Sequence, residues 1–405
     1  MAYSSQFQGY GSGKDGSLSY AGGDLSGTKG IGLASFSGTS GNNYGTFTDN
    51  VSFNGTDGGR IGDFVLIHNA YSGVHEIAKI INRSGTTVYF NRKLSNTYGT
   101  GTQLVSSGQY TNITLNGTTT LLKSYNYDGN RVGGIMFLVC NGTFAAKATV
   151  SASGVNGVNF GSGSDGVYWG TYTVGGGFRG GPGRRGTDSN QGALQGEGSY
   201  GDGGESTAAN GNGGGGGKPL TMPSRAGGGG GGNGAVGQAG YQEGTLSNAT
   251  PGAGGGTFDN ATLSTMWMGG GGGGAFVPYS YSGVSGASGG GIIYIIAKKI
   301  DLSDSSAMLA LYGGTGAREG QTGSGSGAGG SCLLKGYDIN IGTDKINVAG
   351  GISSGGDQYG GYGGVGRIRA EYASSFTGSA TGLSSAQNTN LYESKGGVLF
   401  FANIL

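Results

Sequence analysis

The chain has 405 residues, 100 of them glycine, with 23 basic and 22 acidic side chains, a formal net charge of +1, and 34% hydrophobic against 11% charged residues. That balance excludes electrostatic binding to nucleic acid or anionic membrane, because no basic stripe exists to neutralise phosphates. With 5 Pro but 23 Tyr and 15 Phe, the composition also argues against a wholly disordered tether.

The amino terminus, Met1-Ala2-Tyr3-Ser4-Ser5-Gln6-Phe7, lacks the basic and apolar regions of a secretory signal. No segment approaches the roughly 18 apolar residues of a membrane helix, so membrane insertion is not expected. Release by lysis, as for virion proteins, and a mature form with its signal removed both fit. Residues 1–59, rich in Gly, Ser and Tyr, read as a loosely structured arm.

Helical periodicity is nearly absent, and short β-rich runs alternate with Gly, Asn, Ser and Asp clusters, which is an all-β signature. Within residues 60–130, four runs read as strands: Phe64-Val65-Leu66-Ile67-His68, Glu76-Ile77-Ala78-Lys79-Ile80-Ile81, Thr87-Val88-Tyr89-Phe90 and Gln103-Leu104-Val105. A hairpin turn at 82–85 joins the second and third, and a small antiparallel barrel or sandwich is expected.

A repeat follows when Gly pairs serve as the ruler. Gly133-Gly134-Ile135-Met136-Phe137-Leu138-Val139 recurs as Gly290-Gly291-Ile292-Ile293-Tyr294-Ile295-Ile296. It recurs again as Gly329-Gly330-Ser331-Cys332-Leu333-Leu334 and as Gly364-Val365-Gly366-Arg367-Ile368-Arg369-Ala370. The first three copies each precede a second short strand and a small-residue corner, at Val150, Leu311 and Val348. Residues 131–160 and 289–375 therefore read as a β-solenoid-like domain. The tail, 376–405, carries a partial copy in Gly396-Gly397-Val398-Leu399-Phe400-Phe401.

Residues 161–288 form an insert holding glycine blocks at 213–217, 227–232 and 269–274. A glycine run has no side chain to bury, so it is ordered only if its amides pair with other backbone; otherwise it stays a tether. The left-handed three-residue helix with outward amides suits such runs, since close approach needs the missing Cβ. Several runs are required to hold one another, and the expected insert is a polyglycine-II helix bundle with its loops at the ends.

The succession Gly177-Phe178-Arg179-Gly180-Gly181-Pro182-Gly183, Gln195-Gly196-Glu197-Gly198, the glycine blocks and Met266-Trp267-Met268-Gly269-Gly270 resembles glycine-rich surface proteins of bacteria and tailed phages. The likeness runs over most of residues 60–372, and in those proteins a segment similar to Gly62-Asp63-Phe64-Val65-Leu66-Ile67-His68 also precedes the repeats. The glycine blocks alone look like the distal adhesins of T-even-type phage tail fibres. That likeness implies a sandwich of polyglycine-II helices with receptor-contacting loops at one end. The present chain differs in its length and its additional β-rich repeats.

Chemistry is sparse. His68, in an apolar strand, reads as a hydrogen-bonded structural residue, and Cys140 and Cys332 read as buried free thiols rather than a disulfide. Clustered Cys and His for a zinc site are lacking, and no cofactor is expected. Asp202-Gly203-Gly204-Glu205 is at most a weak Ca²⁺ element, Asp301 and Asp304 read as turn formers, and Asp338 with Asp344 completes the acid pairs available to a glycosidase. Arg179, Arg184 and Arg185 read as a solvated loop, and Trp267 as a packing residue.

Binding has more to offer. Loops between the glycine blocks hold Lys218-Pro219-Leu220-Thr221-Met222-Pro223, Tyr241-Gln242-Glu243 and Phe276-Val277-Pro278-Tyr279-Ser280-Tyr281. Leu220, Met222, Tyr241, Phe276, Tyr279 and Tyr281 are the candidate receptor contacts, because Tyr gives broad contact area at little entropic cost. The same aromatics equally suit a cover for the bundle's ends. The expected function is a non-enzymatic, phage tail-associated adhesin of the virion or an extracellular surface, contacting a protein or glycan receptor of the host. Partner subunits of a particle or filament and a homo-oligomer are also expected. The alternatives are a structural subunit of a virion, filament or surface layer, and a polysaccharide depolymerase.

Overall fold

A computed structural model describes residues 10–25, 28–120, 124–125, 131–160, 168–169, 172–186, 191–221, 224–241, 249–278, 281–354, 359–388 and 391. Met222, Tyr279 and the partial repeat at 396–401 lie outside the described residues. The fold is all-β, with no α-helix among the described residues.

The four expected strands are present as Phe64–Asn69, His75–Ser84, Thr87–Phe90 and Thr102–Ser107. Gly32–Gly38 and Tyr44–Val51 join them to close a six-stranded antiparallel barrel. These two come from the stretch expected to be a loose arm, and that expectation is corrected. Their Ser, Thr and Gly dilute the period-two signal, yet Ala34, Phe36 and Phe47 all enter the barrel core. The apolar run at 64–67 is continuous because both faces are covered. Val65 and Ile67 point into the barrel core, whereas Phe64 and Leu66 pack with the parallel sheet.

Ile135–Ala146, Ile292–Asp301, Ser331–Thr343 and Arg367–Ser379 lie side by side in a large parallel sheet. Their register aligns Ile135 with Ile292, Ile292 with Ser331 and Ser331 with Arg367. This is the alignment that the Gly pairs give in the sequence. Leu18–Tyr20 and Ile113–Leu115 extend the sheet on one side and Leu383–Gln387 on the other. A second parallel sheet stacks Gly23–Asp24, Thr119–Thr120, Thr149–Ser151, Met308–Ala310 and Ile346–Asn347. The main apolar core lies between the sheets, with Phe137, Leu138, Phe144, Val150, Ile295, Leu309 and Leu334 in it. Residues 18–24 and 113–120 thus make two short passes through both sheets. The barrel is inserted between those passes, and the glycine-rich segment between Ser151 and Ile292.

The glycine runs carry neither helix nor strand, and their amides are paired in rotation. Gly227 and Gly230 donate to Tyr241 and Gln238, Gly228 and Gly231 to Gly323 and Ser326, and Gly229 and Gly232 to Gly215 and Asn212. In the same way Gly269 and Gly272 donate to Gly290 and Ala287, Gly270 and Gly273 to Gly232 and Gly229, and Gly271 and Gly274 to Glu197 and Leu194. Their carbonyls accept from three further segments, through Phe178 and Gly181, Ala328 and Gly325, and Gly214 and Gly217. None of the glycines at 227–232 or 269–274 has positive φ, so conformational freedom is not what selects them. Close approach does: a Cβ would stand 1.8 Å from the Asn212 carbonyl oxygen at Gly270, and 1.9 Å from that of Gly215 at Gly273.

Candidate binding face at the far end of the glycine segments

Two levels define the ends of the glycine segments. At one, Gly134, Gly291, Gly330 and Gly366 lead directly into the parallel strands, and Gly232 bonds to Asn212 alongside. At the other, Gly217 donates to Gly274, Gly227 to Tyr241, Gly228 to Gly323 and Gly252 to Gly227, so these positions lie level. Beyond them the chain reverses between 217 and 227, 241 and 252, 274 and 286, and 317 and 323. One end of the array is therefore rooted in the sheets and the other carries connections.

Short backbone ladders and side chains together knit those connections. Lys218 and Pro219 pair with Thr250 and Ala249, and Phe160 pairs with Gly283. Asn159 Nδ2 donates to the Arg318 carbonyl at 2.7 Å, and Arg318 Nη2 donates to the Tyr359 hydroxyl at 3.0 Å. The same guanidinium lies 4.0 Å from the Tyr359 ring centroid, and Arg225 lies 4.1 Å from that of Tyr281. Such cation–π pairs hold an aromatic ring at a fixed angle while leaving its rim in solvent. The Tyr359 carbonyl accepts from the Tyr241 amide at 3.1 Å, joining the neighbouring connection to the same patch.

Four of the six candidate contacts are described. Leu220 is 56% exposed and Tyr241 41%, both at the end that carries connections. Tyr281 is half-buried under Arg225. Phe276 is 0% exposed, packed with Ala226 and Ala249, and its backbone exchanges two hydrogen bonds with Ala226. Its expected role as a presented contact is corrected: a large ring beside a chain reversal closes the space that glycine leaves open. Arg225, Arg318 and Tyr359 escaped the sequence reading. Their one signal there is position, since each adjoins a glycine segment where the chain turns.

Several further charged groups are paired within the fold. Asp202 accepts from Arg131 and Arg179, Arg179 Nε also donates to Glu197 at 2.9 Å, and Glu205 pairs with Arg184. Arg184 and Arg185 are buried, in a strand paired with Phe276–Pro278, so the reading of a solvated loop is corrected. Asp301 and Asp304 cap turns by accepting from Ser303 and Ser306, as turn formers should. Among the described residues no group of three or more His, Cys, Asp and Glu is placed to hold a metal ion. His68 is buried with Nε2 2.8 Å from the Met266 carbonyl oxygen, and both cysteines are buried and free. Burial pushes the Cys140 thiol up to about 12 and raises that of Cys332 further, so neither is a reactive thiolate. Trp267 is buried edge-to-face against Phe258 at 5.0 Å, a packing role. Between barrel and insert lies a cleft of about 740 Å³, lined by Ser35, Ser37, Thr46, Thr48 and the paired Arg179 and Asp202.

Comparison with known protein families, curated proteins and solved structures gives no match.

Proposed function

We propose that the protein is a non-enzymatic adhesin of a phage tail or comparable surface, in which a polyglycine-II bundle on a β-solenoid presents loops to a host receptor. The three-fold rotation of amide partners along 227–232 and 269–274 supports the polyglycine-II reading, because only a helix of three residues per turn returns every third amide to one neighbour. The register of the parallel strands and the return strands at 149–151, 308–310 and 346–347 support the solenoid.

One observation carries the functional reading. The connections between glycine segments gather at one end, while Tyr10 and Leu391 lie together on the opposite side of the strand starts, near the register of Cys140. A rigid stalk rooted at one end and studded with aromatic and Arg-bearing loops at the other is a recognition design. The test is binding of purified protein to susceptible cells and blocking of infection. Loss of both on exchanging the loop that carries Leu220 supports the reading, and a protein that binds no cell defeats it.

A second reading, a structural subunit, draws on the edge at Leu18–Tyr20 and the outer half of Arg367–Ser379, neither of which has a further strand paired to it among the described residues. Concentration-dependent assembly without cell binding would favour it.

A further inference from the structure

The cleft between barrel and insert is built from two unlike walls. On the barrel side, the side chains of Gly32–Gly38 and Tyr44–Val51 alternate between the two faces of the sheet. Ala34, Phe36 and Phe47 enter the barrel core, so Ser35, Ser37, Thr46 and Thr48 face the cleft. The register sets Ser35 opposite Thr48 and Ser37 opposite Thr46, which makes a grid of four hydroxyls about 5 Å by 7 Å. Ser37 Oγ and Thr46 Oγ1 stand 3.2 Å apart and share one proton, leaving the other proton of that pair available.

The facing wall is charged and firmly held. Asp202 accepts from Arg131 Nη2 at 2.7 Å and from Arg179, whose Nε donates to Glu197 at 2.9 Å. Arg131 also lies 5.2 Å from the Tyr71 ring centroid, and Arg179 lies 4.2 Å from that of Tyr172. Arg131 has a φ of 60°, a left-handed conformation that residues other than glycine seldom adopt. Backbone strain of this kind clusters at ligand clamps. Asp202 stays 47% exposed, and an ionised carboxylate has about four acceptor sites, more than the two guanidiniums fill.

These walls select by chemistry. Two guanidiniums meet two carboxylates, so no net positive charge is offered to a phosphate or an acidic polymer. The cleft meets the barrel sheet by its face, so an extended peptide finds side chains there and no strand edge to pair with. The apolar side chains of the lining, Phe36 and Phe47, are only 4% and 5% exposed, too little to hold an apolar ligand. A polyol suits both walls. Each of its hydroxyls donates and accepts, matching the barrel grid on one side and the carboxylate and guanidiniums on the other.

We propose that this cleft is a carbohydrate site that takes a neutral oligosaccharide, gripped between the barrel and the insert. Its volume of about 740 Å³ falls within the roughly 300–1,000 Å³ of small-ligand sites. The site is separate from the presented loops, and neither wall completes it alone.

The probes are neutral hexasaccharides of glucose, mannose, galactose and N-acetylglucosamine, with hyaluronan hexasaccharide as the acidic comparison. Saturation-transfer NMR and titration follow each against the full chain up to about 1 mM, the range of weak single-site binding. At least one neutral sugar is expected to bind, and hyaluronan to bind more weakly. Thr46→Val with Thr48→Val keeps the shape and the strand preference of both side chains while removing two hydroxyls. That double variant and, on the other wall, Asp202→Asn are each expected to weaken binding about ten-fold. Exchanging the loop that carries Leu220 should leave sugar binding unchanged, so the result is independent of whether the protein binds cells. The carbohydrate site is overturned if no neutral sugar binds or if hyaluronan is preferred. Binding that survives either wall's variant, or that is lost with the Leu220 loop, overturns it equally.

Discussion

The Tyr10 hydroxyl donates to the Leu391 carbonyl at 3.1 Å, joining residues 381 apart in sequence. Tyr10 is buried in the main core, which also contains Tyr110, Cys140 and Phe144. Leu391 reaches it after the edge strand Leu383–Gln387, where the Asn388 amide bonds to the Tyr372 carbonyl. The two ends of the described chain thus close on each other at the side away from the loops. Tyr10→Phe is expected to cost about 1 kcal/mol, the net worth of one hydrogen bond. Tyr10→Ala should cost about 3–5 kcal/mol, as for other large buried rings. Urea unfolding of the two variants separates the bond from the packing.

Gly273→Ala is the sharpest test of the glycine array. The new methyl would meet the Gly215 carbonyl oxygen at 1.9 Å, and backbone on both sides must move. Destabilisation at or above the usual 1–3 kcal/mol of overpacking is expected. Gly99→Ala, which meets nothing within 4 Å and has no positive φ, is the control and should stay within about 0.5 kcal/mol. Equal melting temperatures for the two variants would dismiss the close-packed lattice.

At the loop end, binding and stability should separate. Leu220→Ala and Tyr241→Ala change the melting temperature little, because both side chains are exposed rather than packed in the core. Under the adhesin reading at least one of them weakens cell binding ten-fold or more. Phe276→Ala does the reverse, costing about 3–5 kcal/mol of stability as a buried ring.

Acid should destabilise the barrel base. Burial holds His68 down to about 4 and His75 to about 3, below the ordinary histidine value of 6.5. Between those values the unfolded chain binds protons that the folded chain refuses, so the histidines' contribution to stability is full above about pH 6.5 and falls as pH drops toward 4, opposite in sign to that of the buried Asp259, which is raised to about 7. Unfolding free energy of Asp259→Asn, in which the opposing titration is removed, should differ in that sense between pH 7 and pH 4.5. His68→Gln should flatten the slope.

Arg60 joins the first pass of the chain to the barrel. Its guanidinium bonds to Asp15 and Asp63, both at 2.8 Å, and each carboxylate is almost wholly buried. Desolvation opposes the charge on Asp15, yet Lys14, the Gln109 amide and Arg60 together lower its carboxyl below the usual range. Arg60→Ala removes one of the two cations that both acids share, Lys14 being the other, and is expected to cost about 3 kcal/mol. Arg60→Lys should recover only part, since a point charge cannot make the same fork. Denaturant midpoints of the two variants give the comparison.

The amino-acid order alone determined the all-β class, the four strands from Phe64 to Ser107 and the register of the parallel sheet. These are local properties: alternating or continuous apolar runs mark strands, and a Gly pair before each copy marks where the strand begins. Tertiary structure decided the rest. Gly32–Gly38 and Tyr44–Val51 are too rich in Ser, Thr and Gly to announce themselves, and become strands because the barrel needs two more edges to close. The buried state of Arg184 and Phe276 and the gathering of Tyr241, Arg318 and Tyr359 depend on which segments lie adjacent. A glycine run cannot specify that by itself. With no side chain, its three outward directions are chemically identical, and only the neighbours that fill them tell one from another.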